Sequence, residues 1–250
     1  MSVPAKAFQQ WLHRCAPGLS SAEVCRIAGI KRSTLAQQMV RGKVSISTIV
    51  SIARALGLDV VGALAGFEKY QDLPDGAAQP TAAELISQVS DMDLLREILS
   101  RQGSTENPPP PAGSTFPRDW ALAPLPHRTS VRCWIDAVGP VDLRQRIAKE
   151  AAIAPQNLSS QISANRLAPD LAIVAARIAG VGLTNGLVVT GTITSVEAGW
   201  MPGSRTAALQ AMPSAALVTL AAGRLENLGR TLRRFDADNE QAAALWENLG

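Results

Sequence analysis

The sequence predicts an all-α protein: two helical bundles in tandem, joined by a proline-rich linker. Three observations lead there. Apolar residues recur at helical spacing along most of the chain, while period-two alternation is nearly absent. Aromatic residues make up only 4% of the 250 residues, and the abundant Ala, Leu, Ile and Val suit closely packed helices. Four consecutive prolines, Pro108 to Pro111, lie in a polar stretch from Gly103 to Pro117 that favours an extended, semi-rigid conformation and cannot contribute to a core. The expected division is therefore 1–102, a linker at 103–117, and 118–250.

In the first bundle, Pro4 to Cys15 reads as a helix with Phe8, Leu12 and Cys15 inward and Trp11 half-buried. Ser20 and Glu23 have capping-box spacing, so a helix should run from about Ser21 to Ala28, burying Val24, Cys25 and Ala28. Gly29 stops it, because a turn there needs positive φ, and Ile30 plugs the turn. The next helix, roughly Arg32 to Arg41, turns Leu35 and Met39 inward. Its other face carries Arg32, Ser33, Thr34, Gln37, Gln38 and Arg41, and Gly42 closes it. Ser47 is the expected cap of a helix to Leu56, and Asp59 of another to about Tyr70. Thr81 and Glu84 form a second capping box. The leucine-rich segment that follows, to Arg101, reads as a lid on the first core or, alternatively, as an oligomerisation helix.

The string A-G-I-K-R-S-T-L, followed by R-G-K and I-A-R-A-L-G-L, resembles the lambda repressor/Cro superfamily of helix-turn-helix proteins over about Ala5 to Gly66. The resemblance implies that the Arg32–Arg41 helix enters the major groove of DNA. Lys31 departs from the Ser or Thr cap that the family usually has there. The side chains agree with that reading on their own chemistry. Gln can pair with adenine, Arg with guanine or phosphate, and Ser or Thr with either. Ser33, Thr34, Gln37 and Gln38 are the expected base contacts. Arg32, Arg41 and Lys43 are the expected phosphate contacts, with Arg32 able to turn to a guanine.

Beyond the linker the chain repeats itself at an offset of 123: Trp134 falls on Trp11, Ile153 on Ile30, Leu158 on Leu35, Gln161 on Gln38, Arg177 on Arg54 and Gly180 on Gly57. Asp142 is the expected cap of a helix bearing Ile147 and Ala148, Pro155 starts a second reading helix, and Asn165 ends it where the first copy has Gly. Leu158 and Ile162 face in, while Gln156, Asn157, Ser159, Ser160 and Gln161 face out, with Arg166 just behind for phosphate. Thr194 and Glu197 give a further capping-box spacing, Ser214 opens a long helix to about Arg234, and a short helix from Asn239 to Leu249 closes the chain.

Net charge is +3, but it is unevenly placed: +6 over residues 1–70, −5 over 71–126, +2 over 127–200 and zero over the last fifty. Positive charge thus gathers on the two proposed reading heads, as a polyanion-binding chain requires. No nucleotide-loop, zinc-ligand or metalloprotease motif occurs, and the two histidines have no site built around them, so no catalytic residue, metal or cofactor is expected. Three cysteines without CxxC spacing read as small buried hydrophobes in a reducing cytoplasm. With neither a signal peptide nor a membrane-length apolar run, a cytoplasmic, nucleoid-associated location in a bacterial cell is expected.

The expected partner is double-stranded operator DNA, read by a monomer as an asymmetric or two-part site, with repression by exclusion of RNA polymerase. The layout is similar to immunity repressors of phages that infect actinobacteria. The alternatives are a chain whose first domain alone binds DNA while the C-terminal half dimerises, and a helical adaptor for another protein.

Overall fold

The computed structural model describes residues 2–102 and 120–247, with side chains described through residue 240 except at Gln102. The expected linker, 103–117, lies outside the described residues. Those residues hold fourteen α-helices and a two-stranded sheet. In the first half these are β1 (Ser2–Pro4), α1 (Ala5–Cys15), α2 (Ser21–Ile27), α3 (Arg32–Val40), β2 (Lys43–Ser45), α4 (Ile46–Ala55), α5 (Val60–Ala65), α6 (Ala82–Ser87) and α7 (Asp91–Gln102). The second half has α8 (Ser130–Val138), α9 (Leu143–Glu150), α10 (Pro155–Ser163), α11 (Pro169–Ala179), α12 (Leu183–Val189), α13 (Ser204–Ala211) and α14 (Ser214–Glu247).

The local signals explain most of these elements. Both capping boxes form: the Ser20 hydroxyl accepts from the Glu23 amide while the Glu23 carboxyl takes the Ser20 amide, and Thr81 and Glu84 do the same. Pro155 and Pro169 occupy the first positions of α10 and α11, where a missing N–H costs nothing. Other readings shift. Ser45 rather than Ser47 caps α4, its hydroxyl accepting from the Thr48 amide at 3.2 Å. Helix α5 stops at Ala65, and a 3-10 turn at Glu68–Tyr70 replaces the expected continuation. Thr194 and Glu197 make the reciprocal bonds of a capping box, but around a turn, not a helix. The two expected closing helices are a single 34-residue helix, because Asp236 to Asn239 tolerate helical geometry when nothing competes for the backbone. The strands were missed because three residues each are too short to show alternation. They pair antiparallel with Val3 opposite Val44, both buried.

The repeat seen in the sequence extends to the backbone. Helices α3, α4, α5 and α7 begin at 32, 46, 60 and 91; α10, α11, α12 and α14 begin at 155, 169, 183 and 214, each 123 residues later. Left-handed turn residues recur at the same offset: Gly29 with Ala152, Gly42 with Asn165, Gly57 with Gly180. The amide of Ile30 bonds the Cys25 carbonyl, and that of Ile153 the Ala148 carbonyl. Ala152 and Asn165, the only non-glycine residues at positive φ among the described residues, thus occupy turns that glycine holds in the first copy.

They keep that conformation for different reasons, and substitution should separate them. Asn165 is anchored: its Oδ1 accepts from the Val131 amide at 2.9 Å and its Nδ2 donates to the His127 carbonyl at 3.0 Å. Ala152 is exposed and has no side-chain bond to make. Ala152→Gly should raise stability by about 0.5–1 kcal/mol through relief of left-handed strain. Asn165→Gly should lower it by about 1–2 kcal/mol through lost hydrogen bonds. Urea unfolding of the two variants checks the opposite signs.

The contacts do not divide at the linker. One unit comprises Met1–Gln88 with Pro124–Ser204, the other Val89–Ala123 with Arg205–Gly250. Both copies of the α2–α3 arrangement therefore belong to one unit and share its core, instead of forming separate bundles. The physical reason is cross-packing. Helix α6, the expected lid on the first core, packs on α8 of the second copy. The Glu84 carboxyl accepts from Trp134 Nε1 at 3.2 Å and from Asn185 Nδ2 at 3.1 Å, all three residues being buried. Asn185 in turn accepts from Trp200 Nε1 at 2.8 Å. Trp11, expected half-buried, is 3% exposed between Phe8 and Phe67. In the other unit, α7 packs on α14, and the Arg101 guanidinium donates to the carbonyls of Met212 and Leu209 at the end of α13.

Candidate nucleic-acid interface

Helix α3 is anchored by Leu35, 4% exposed, and by the turn at Gly29 that brings it across α2. This leaves Ser33, Ala36, Gln37 and Val40 on one exposed face, at i, i+3, i+4 and i+7. Arg32 and Thr34 flank it, also exposed. Lys31 caps the helix by position without a side-chain bond, as its departure from Ser or Thr implies. Lys31, Arg32, Arg41 and Lys43 are exposed and make no ion pair among the described residues. Lys43 is held on β2, opposite Pro4. Four uncompensated cations around one helix give that surface a positive potential at neutral pH.

The second copy presents the equivalent face with different chemistry. Leu158 and Ile162 are buried, and Gln156, Ser159, Ser160 and Ser163 are exposed at the positions of Ser33, Ala36, Gln37 and Val40. Asn157 and Arg166 are exposed beside them, Arg166 standing where the first copy has Lys43. This surface can hydrogen-bond but carries little charge.

Two expected base contacts are placed otherwise. The Gln38 Oε1 accepts from the Ser45 amide at 3.0 Å and from the Thr48 hydroxyl at 3.1 Å. The Gln161 Oε1 accepts from the Ala168 amide at 3.0 Å. Both amides therefore fasten the end of one helix to the start of the next, at equivalent positions. Bidentate pairing with adenine needs the same oxygen, and in this structure Gln38 and Gln161 spend it as clasps of the scaffold. The 123-residue recurrence of Gln was visible in the sequence; its cause was not. Val40, 89% exposed, and Ser163 lie on these two faces at equivalent positions. An exposed Val can contact a thymine methyl.

The two copies are tied to each other by charge as well as by the shared core. Arg54 on α4 makes a two-pronged ion pair with Glu197, at 2.6 and 2.7 Å. Arg177 on α11 pairs with Asp72. Asp170 accepts from the Tyr70 hydroxyl at 2.7 Å and also pairs with Lys69. Burial, and then the bond to Asp170, push the Tyr70 hydroxyl far above its ordinary range. Between the copies lies an open groove of about 500 Å3, lined by Ser45, Ile46 and Arg54 from one and Ala168, Pro169 and Thr192 from the other.

The hydrogen bonds from Arg54 hold the Glu197 carboxyl below its usual 4.5, outweighing partial burial, which acts the other way. A carboxyl lowered in the folded state contributes stability above its unfolded value, and loses that contribution as pH falls through the folded one. Glu197→Gln should therefore destabilise the protein at neutral pH and flatten the loss of stability below pH 4.5, as thermal unfolding across pH would read.

Burial raises the Cys25 thiol, so it is a packed hydrophobe; Cys15 and Cys133, expected to be buried, are half-exposed. Among the described residues no group of three or more His, Cys, Asp or Glu could hold a metal ion, and no single helix is long and apolar enough to cross a membrane. Comparison with protein-family models, with curated proteins and with solved structures finds no match.

Proposed function

We propose that this chain is a sequence-specific double-stranded DNA-binding regulator with two helix-turn-helix heads, most simply a repressor of phage type that occludes RNA polymerase. The observation that carries this reading is the recurrence of one exposed polar helix face, behind the same left-handed turn, in both copies. In the first head Ser33, Thr34, Gln37 and Val40 face bases, while Lys31, Arg32, Arg41 and Lys43 hold phosphates. In the second, Gln156, Asn157, Ser159, Ser160 and Ser163 face bases and Arg166 faces phosphate. The first head supplies most of the electrostatic attraction, and the second adds mainly hydrogen-bonding discrimination.

Selection of bound duplexes from a random pool tests this directly: an enriched sequence supports the reading, and none sinks it. Two variants then assign roles. Lys43→Ala should weaken binding to all duplexes alike and lower the slope of log affinity against log salt by about 1. Gln37→Ala should cost about 1–3 kcal/mol on the selected site, relax one base position and leave the salt slope nearly unchanged.

A second reading has the first head alone bind DNA while the C-terminal half joins two copies. Helix α14 favours it: Val218, Leu225, Leu228, Leu232 and Phe235 are each at least 38% exposed and lie at three- and four-residue spacings or their sum. Sedimentation of the free protein separates the readings, since only the second requires a dimer.

A further inference from the structure

Two copies in one chain can be related by a shift along the molecule or by a half-turn. A half-turn leaves a signature: whatever element of one copy touches in the other is repaid by the equivalent contact in reverse. The Arg54 and Arg177 ion pairs carry it; the packing of α6 on α8 does not, because α13, the equivalent of α6, belongs to the other unit. Arg54 and Arg177 are equivalent, 123 residues apart; Arg54 reaches Glu197 in the second copy, and Arg177 reaches Asp72 in the first. Mapped onto one copy, the two acidic partners fall within two residues of each other. A shift would make such contacts in one direction only.

Residues on a two-fold axis stand beside their own equivalents. The open groove is lined by Ser45 with Ala168 and by Ile46 with Pro169, which are equivalent pairs. In the other unit, taken by itself, α7 packs on α14, again an equivalent pair. The groove residues 45 and 168 are the ones that the clasps from α3 and α10 hold, since Gln38 bonds Ser45 and Gln161 bonds Ala168. The clasps of both candidate reading helices are therefore fastened to residues of this one groove, and ion pairs and a common core hold the two copies together.

We infer that the two heads form a built-in dimer with an approximate two-fold axis, whose target is a pair of unlike half-sites in inverted orientation at one fixed spacing. This rests on the DNA-reading function proposed above. The inversion follows from the half-turn, because a two-fold protein matches the two-fold axis of the duplex. The unlikeness follows from the reading faces, Ser33, Gln37 and Val40 against Gln156, Ser160 and Ser163. Fixed spacing follows from the fastening, which does not depend on residues 103–117. A tethered pair would tolerate many spacings; a clamped pair reads one.

The full-length protein, with a site taken from random-pool selection, tests this. Synthetic duplexes would carry the selected site, the same site with one half reversed into a direct repeat, and versions lengthened at the centre by one to six base pairs. Reversal or lengthening by three or more base pairs should reduce affinity at least about 100-fold, to that of a lone half-site. The complex should contain one chain per site by native mass spectrometry. Two half-sites enriched as a direct repeat, or bound equally well at several spacings, would overturn the inverted clamp while leaving the two-headed reading standing. A perfect palindrome bound by two chains would overturn it too. If selection enriches no sequence at all, the DNA reading fails, and the clamp with it.

Discussion

Glu84→Ala should lower the stability of the protein by roughly 3–5 kcal/mol, more than any other single substitution outside the apolar core. The side chain is 1% exposed and fulfils two tasks at once. One carboxyl oxygen takes the Thr81 amide at 2.9 Å and completes the capping box of α6. The other accepts from Trp134 and Asn185, on α8 and α12 of the second copy. Truncation leaves two buried N–H donors without an acceptor, and each such group costs about 1–3 kcal/mol. It also loosens Asn185, whose own oxygen holds the Trp200 indole. Glu84→Gln retains an acceptor for Trp134 and Asn185 but turns an N–H against the Thr81 amide, so a loss of about 1–2 kcal/mol is expected. Chemical denaturation of both variants provides the check. A loss below about 1 kcal/mol for the alanine variant would mean that apolar packing alone joins the copies.

This network also shows where the sequence could be read and where it could not. Capping boxes, proline starts and the glycine turns act within four residues, so α2, α3, α6, α10 and α11 were legible from local spacing. The 123-residue recurrence was legible too, because equivalent turns demand similar residues. Glu84 was read correctly as a cap, but nothing local says that the same carboxyl faces Trp134, fifty residues away. For that reason the contacts group segments from both sides of the linker. The polyproline run marks where the chain cannot contribute to a core, yet the segments on either side of it pack together. Gln38 and Gln161 illustrate the same point. A polar side chain on a helix face suits a base edge or a neighbouring amide equally well, and only the position of Ser45 and Ala168 decides between them.

The shared core also bears on how the two heads can be tested. A fragment ending at residue 102 would expose the face of α6 that packs on α8, and would strip Glu84 of its donors. Weak DNA binding by such a fragment would report misfolding as readily as the loss of a head. Substitution on exposed faces avoids this, since Gln156, Asn157, Ser160, Ser163 and Arg166 are all exposed and their loss leaves the core intact.

Replacing those five residues together with alanine should reduce affinity for the selected site by about 10²–10⁴-fold. The reasoning is that the first head, once bound, presents the second at a high effective concentration, so each contact made by the second adds nearly its full free energy. The salt slope should fall by only about 1, because Arg166 is the only cation removed. Silencing the first head through Lys31, Arg32, Arg41 and Lys43 should act in the opposite way. Affinity would fall on all duplexes, selected or not, and the slope would drop by about 3 to 4 if all four cations hold phosphates. Equilibrium titrations at several salt concentrations separate the two patterns. If the second-head variant binds like the unaltered protein, the exposed polar face of α10 reads nothing. The exposed apolar stripe of α14 then becomes the better account of the C-terminal half, as the surface through which two single-headed chains meet on a palindrome.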